Sequence, residues 1–180
     1  MQAMKRAEKG ASVRIRDANL EDAQAIAAIY NHAVRATTAI WNDMEVDEAN
    51  RAAWLADRQS AGFPVLVAER DGSVVGYASY GPFRAFDGYR FSVENSVYVA
   101  EANQGGGIGR ALMEALIARA RAGGLHVMIA GIEAENRGSI RLHANLGFRE
   151  AGRLPQVGTK FGRWLDLLLM QLTLDETAPR

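Results

Sequence analysis

Cysteine is absent from this chain of 180 residues. Disulfides, thiolate nucleophiles and cysteine-bound zinc are thereby excluded, and the absence fits a reducing compartment, so a cytoplasmic location is expected. An excess of either charge is also missing: Lys plus Arg and Asp plus Glu number 21 each. No global basic field recruits nucleic acid or an anionic membrane, and neither partner is expected. Long apolar runs are lacking, with nothing near the ~20 residues that a membrane span needs. The first ten residues, Met1 to Gly10, are charged and carry no apolar stretch, so they do not read as a signal peptide. The three histidines, His32, His126 and His143, are far apart and show no metal-ligand spacing, so no metal is expected.

What remains is ordinary for a globular chain: 48% hydrophobic and 23% charged residues. The expected organisation is a flexible extension over residues 1–12, a single domain over 13–174 and a short tail over 175–180. Val13 to Arg16 alternates as a half-buried strand. Asn19, with Asp22 three residues on, caps a helix whose apolar positions are Ala23, Ile26, Ala27 and Tyr30. Asp47 caps a second helix running to Ser60. Strands follow at Val65–Ala68 and Val74–Tyr80, joined by the hairpin signal Asp71-Gly72, the second ended by Gly81-Pro82. Another covers Ser92–Val99. A glycine run then opens a helix that stops at Gly123-Gly124. An apolar strand spans Leu125–Ile132, a short helix Asn136–Leu146, and two final strands begin near Phe148 and Trp164. The pattern predicts an α+β fold with a mixed, mostly antiparallel central sheet flanked by helices.

The most informative stretch is Val97-Tyr-Val-Ala-Glu-Ala-Asn-Gln-Gly-Gly-Gly-Ile-Gly-Arg110. A strand that turns through glycines into a helix makes an anion site, because the unpaired N–H groups of the first turn point at the ligand and glycine lets the backbone approach. Arg110 adds a positive charge, and a pyrophosphate is the natural guest. The nucleoside-triphosphate pattern G-x-x-x-x-G-K-[ST] is absent. The dinucleotide fingerprint G-x-G-x-x-G lacks its last glycine and stands past mid-chain, after a hairpin-rich half. A flexible loop ahead of a helix is the plainer alternative for a glycine run taken alone.

Gln104-Gly-Gly-Gly-Ile-Gly109, after a strand and opening a helix, resembles the acetyl-CoA motif Q-x-x-G-x-G of the GNAT superfamily of N-acetyltransferases. Asn136 to Phe148 resembles its later helix ending in Gly-Phe. Tyr30-Asn-His-Ala-Val34, Trp54, Tyr77 to Pro82, Val93-Glu-Asn-Ser-Val-Tyr-Val99 and Lys160 to Asp166 resemble, more narrowly, the phosphinothricin and methionine sulfoximine acetyltransferase branch. That resemblance implies acetyl-CoA as co-substrate, a small amino-acid-like acceptor acetylated on its α-amine, and a homodimer. It implies that the strand before the loop splays from its neighbour and pairs through Val97, Tyr98 and Val99 with the pantetheine arm. It also implies that Gly105, Gly106, Gly107, Ile108, Gly109 and Arg110 hold the pyrophosphate and that Asn136 touches the cofactor.

Acyl transfer to an amine needs a base, a polarised thioester carbonyl and a leaving thiolate. Glu94 is the candidate base, acting directly or through water. Strand alternation puts it on one face with Ser96 and Tyr98, ~10 Å along the strand from the thioester contact. The resemblance assigns a Glu at this position to substrate contact and base. The alternative is an exposed strand carboxylate. The oxyanion donor is expected to be a backbone N–H near Val97 to Val99. The loop Phe83-Arg-Ala-Phe86 is used for substrate in the resembling branch. Arg84 would pair with a substrate carboxylate, beside Ala85, and Phe86 would wall the side chain; a solvated Arg and a packing Phe are the alternative. His32, Thr37 and Thr38 are read either as pocket lining or as helix-end packing, and His143 as a core-edge residue rather than an auxiliary base or thiolate partner. Lys160 and Arg163 are read as solvated charges by default, and Trp164, Leu167 and Leu169 as core or dimer interface. Two other functions compete: an acetyltransferase for a different amine, such as a protein N-terminus or a polyamine, and a non-catalytic acyl-CoA-binding module.

Overall fold

The computed structural model describes residues 12–177. Apart from Ser12, the extension predicted over residues 1–12 lies outside them. The strands are β1 (Arg14–Asp17), β2 (Val65–Arg70), β3 (Ser73–Pro82), β4 (Ser92–Val99), β5 (Val127–Glu133), β6 (Arg149–Lys160) and β7 (Arg163–Thr173). The helices are α1 (Ala23–Ala36), α2 (Glu48–Ser60), α3 (Ile108–Ala122) and α4 (Arg137–Asn145). The seven strands form one sheet in the order β1-β2-β3-β4-β5-β7-β6. Every neighbouring pair is antiparallel except β4 with β5, so the fold is the expected mixed, mostly antiparallel α+β sheet.

Local chemistry explains most boundaries. The Asn19 side chain accepts from the Glu21 N–H and Asp22 returns a carboxylate to the Asn19 N–H, a reciprocal cap on a 3-10 turn (Leu20–Asp22) that runs into α1. Asp47 accepts from the Asn50 N–H and starts α2. Between β2 and β3, Asp71 and Gly72 both take positive φ, 52° and 75°, as a tight hairpin turn requires. One boundary differs from expectation: Gly81 and Pro82 do not end β3 but pair with Glu94 and Val93. A Cβ on Gly81 would collide with the Arg58 guanidinium, so the glycine is there for close approach and not as a stop.

The sheet buries both faces. Leu66, Ala68, Ala78, Tyr80 and Val93 pack under α3 through Leu112, Met113 and Leu116. Val65, Val67 and Tyr77 pack under α1 and α2 through Ile26, Ile29 and Leu55. Alternation along each strand therefore sends odd and even positions to different helix layers. On β4 this sends Val93, Val97 and Val99 to the α3 side and Tyr98 to the α1–α2 side.

Candidate active site

The parallel contact between β4 and β5 is short. Ser92, Val93 and Glu94 register with Val127, Met128 and Ile129, and the pairing stops there. Beyond it, β4 keeps β3 as its partner up to Val99↔Gly76, while β5 keeps β7 up to Glu133↔Leu167. The two strands part between those ladders, as the resemblance implied. Backbone groups on the open edge of β4 are left for a ligand instead of a strand.

A cleft of about 970 Å³ occupies this gap and reaches the glycine loop. Val97, Tyr98 and Val99 line it along β4. Gly105, Gly107, Ile108, Gly109 and Arg110 line it at the start of α3, and Asn136 at the start of α4. Gly106 is on the same loop, facing Arg70. Gly105 and Gly107 adopt φ of 77° and 79°, left-handed values that L side chains rarely take. Gln104 donates from Nε2 to the Val99 carbonyl at 3.1 Å, which ties the loop to the end of β4. Asn136 caps α4, accepting the Ser139 N–H on Oδ1, and keeps its Nδ2 group as a donor. Arg110 turns back along α3 to Glu114, with Nε to Oε1 at 2.8 Å.

Glu94 stands at the point where the strands part. A Cβ on Gly131 would lie 2.9 Å from Glu94 Oε1, so the carboxylate leans across β5 at a glycine that lines the cleft. Glu94 is exposed in the free chain, yet partial desolvation against its neighbours pushes its pKa above the ordinary value of 4.5, and the positive charge of Arg84 pulls in the opposite direction. Arg84 and Ala85 are exposed on the loop after β3, where Arg84 also stacks 5.1 Å over the Phe83 ring. Phe86 is 76% exposed on the same loop. Tyr98, on the same face as Glu94, is pushed up to about 12, mainly by burial, so it stays protonated and is no base.

His143 is a core residue, 2% exposed, and not an edge one. Its Nδ1 meets the Ser139 carbonyl at 2.8 Å; a carbonyl only accepts, so Nδ1 carries the proton. Nε2 then accepts from Asn95 Nδ2 at 3.1 Å. Burial, opposed by the Ser139 carbonyl, keeps the imidazole pKa below 6.5. Asn95 Oδ1 is left buried without a partner beside the cleft, an acceptor suited to a ligand N–H.

Several features were not read from the sequence. The Asn95–His143 pair spans 48 positions. Thr38 donates to Glu133 at 3.1 Å, and Glu133 lines the cleft. His32, Thr37 and Thr38 line it too, the pocket-lining one of the two readings of those residues, while Thr37 also closes α1 by donating to the Ala33 carbonyl. Lys160 is 3% exposed and gives its ammonium to the Ile40 carbonyl, so the solvated charge expected there is a buried clamp on the segment after α1. Trp164, 67% exposed, is not core.

Residues 26–148 match the model of the Acetyltransferase (GNAT) family. An L-methionine sulfoximine/L-methionine sulfone acetyltransferase of Salmonella typhimurium is 59% identical over 91% of this chain and 96% of its own. A phosphinothricin N-acetyltransferase of Alcaligenes faecalis is 45% identical over 88% of this chain and 83% of its own. Among solved structures, an acetyltransferase of Salmonella typhimurium determined with its cofactor acetyl-CoA superposes with a TM-score of 0.91 at 58% identity, covering 93% of this chain and 96% of the other. A ribosomal-protein-alanine N-acetyltransferase of Brucella melitensis superposes at 0.88 with 61% identity, covering 89% and 99%. The residues of the cleft fit the donor seen in the first of these: glycine-loop N–H groups for phosphate, and an open strand edge with the Asn95 acceptor for an amide-bearing arm. With the split sheet, the glycine loop and these relatives in agreement, the chain belongs to the GNAT acetyltransferase family and is an acetyl-CoA-dependent N-acetyltransferase.

Proposed function

We propose that this enzyme acetylates the α-amine of a small amino acid or analogue of the methionine sulfoximine, methionine sulfone or phosphinothricin type, with Glu94 as general base. The observation that carries the reading is the place of Glu94, at the fork of β4 and β5 and leaning over Gly131 into the cleft wall. The names of the relatives supply the acceptor class. Glu94 takes a proton from the acceptor's ammonium, directly or through one water. The freed amine forms a C–N bond at the acetyl carbonyl while the C–S bond breaks. The second amine proton is lost and the thiolate takes one, for a net release of one proton. Backbone N–H groups near Val97 to Val99 polarise the carbonyl. Arg84 supplies a positive charge beside Glu94, suited to the acceptor's carboxylate, with Ala85 and Phe86 on the same loop. An exposed apolar row on the β6–β7 hairpin, with Val157, Phe161 and Trp164, supports a homodimer that would cover it. A cytoplasmic setting remains part of this reading.

Incubation with acetyl-CoA and a panel of amino acids and analogues, followed by free-thiol detection, tests the acceptor. Thiol release with methionine sulfoximine or phosphinothricin is expected; background rates across the panel overturn the acceptor class. A second reading, acetylation of a protein N-terminus, is favoured by the name of the Brucella relative. A ribosomal-protein peptide beginning with alanine belongs in the same panel, and its preferential use would decide for that reading.

A further inference from the structure

We propose that Arg70 is a phosphate ligand of the acyl donor, binding its diphosphate from the side of the glycine loop opposite Arg110. Arg70 ends β2, and the hairpin turn at Asp71 and Gly72 holds it in register with Ser73. A register shift between Ala68 and Glu69 precedes it. From there the guanidinium reaches the loop: Nη2 lies 3.6 Å from the point where a Cβ on Gly106 would stand. Its Nε is buried without a hydrogen-bond partner.

The surrounding charges make that position costly in the free chain. The first turn of α3 holds no acidic residue, and its N-cap, Gly107, offers no side chain, so the positive end of the helix is bare. Glu69, the residue before Arg70, takes Arg16 at 2.8 Å, and Glu114 takes Arg110 at 2.8 Å. Arg110, the cation that the motif suggests for the phosphates, holds only an exposed pair with Glu114 on its own helix, whereas Arg70 makes no ion pair among the described residues. A guanidinium with a buried, unsatisfied donor beside a bare helix N-terminus is compensated by a dianionic group that takes hydrogen bonds from both. The diphosphate of the donor supplies that group at this loop.

The test compares the wild type with Arg70→Met and Arg70→Lys, by calorimetric titration with acetyl-CoA and with its 3′-dephospho analogue, which keeps the diphosphate. Arg70→Met is expected to weaken both donors about tenfold, with kcat at saturating donor unchanged and with less sensitivity to added salt than the wild type. Arg70→Lys should recover part of the loss. The melting temperature of the ligand-free protein should hold or rise, because an uncompensated charge is removed. Weakening confined to acetyl-CoA would move Arg70 to the 3′-phosphate and overturn the diphosphate assignment. Unchanged affinity for both donors, or a lower ligand-free melting temperature without a change in affinity, overturns the role altogether.

Discussion

Glu94 closes the last parallel rung between β4 and β5, opposite Ile129, and its carboxylate reaches Gly131 two residues further on, with Oε1 2.9 Å from where a Cβ on Gly131 would stand. The glycine leaves the space that the carboxylate fills. Gly131→Ala is expected to leave the fold intact, since only the end of a flexible side chain must move, while displacing the proposed base. A drop in kcat of about tenfold or more is expected, with acetyl-CoA affinity held, because misplacement of a reacting group by an ångström is costly. Wild-type turnover in this variant would remove the geometric basis for Glu94.

Replacing Glu94 by Gln removes the base and keeps the shape. Turnover should fall by about 10² or more, with acetyl-CoA binding unchanged in a titration without acceptor. Unaltered turnover rules Glu94 out.

The acid limb of kcat/KM in the wild type should lie above the ordinary Glu value of 4.5, because burial penalises the charged form. The charge of Arg84 works against that shift. Arg84→Gln should therefore move the limb to still higher pH and raise KM for an acceptor bearing a carboxylate. A limb that stays put in a pH–rate profile separates Arg84 from Glu94.

His143 is held neutral in the core, with a folded pKa below the 6.5 of the free side chain. Between those two values the unfolded chain binds more protons, so stability rises with pH through the window and is lost as pH falls below 6.5. Histidine NMR should show His143 titrating below 6.5 with the proton on Nδ1. Titration above 6.5, or an Nε2–H tautomer, contradicts the Asn95 and Ser139 geometry.

Trp41 sits on the bare backbone of Gly158, where a Cβ would fall inside the indole ring. Its Nε1 donates to the Thr38 carbonyl at 2.8 Å, and Thr38 lines the cleft. Gly158→Ala should cost about 1–3 kcal/mol by overpacking and change tryptophan fluorescence. By shifting Thr38 it should also raise KM for the acceptor. An unchanged melting temperature and spectrum would show that Trp41 does not seat there.

The legible parts of this protein were those that local chemistry controls. Alternation bounded β4 at Ser92–Val99, Asp47 announced α2, and glycines marked both ends of α3. Backbone hydrogen bonding, capping and steric freedom act over a few residues, so a linear reading reaches them. The glycine run pointed to an anion site in the same way, and the resemblance carried by its flanks pointed to acetyl-CoA.

The tertiary structure decided what depends on distant partners. The parting of β4 from β5 after Glu94 follows from which strand each continues to pair with, and no local pattern states that choice. Lys160, read as a solvated charge, is buried because Ile40, 120 positions away, offers a carbonyl. His143 is neutral because Asn95 and the core enclose it. Arg110 pairs with Glu114 on its own helix, while Arg70, from the end of β2, comes to the loop without an ion pair among the described residues. Desolvation and hydrogen bonding, which set the charge and availability of such groups, are properties of the packed surroundings and not of the residue. The chain order alone determined the elements and their boundaries; packing decided which side chains are free to act in the cleft between β4 and β5.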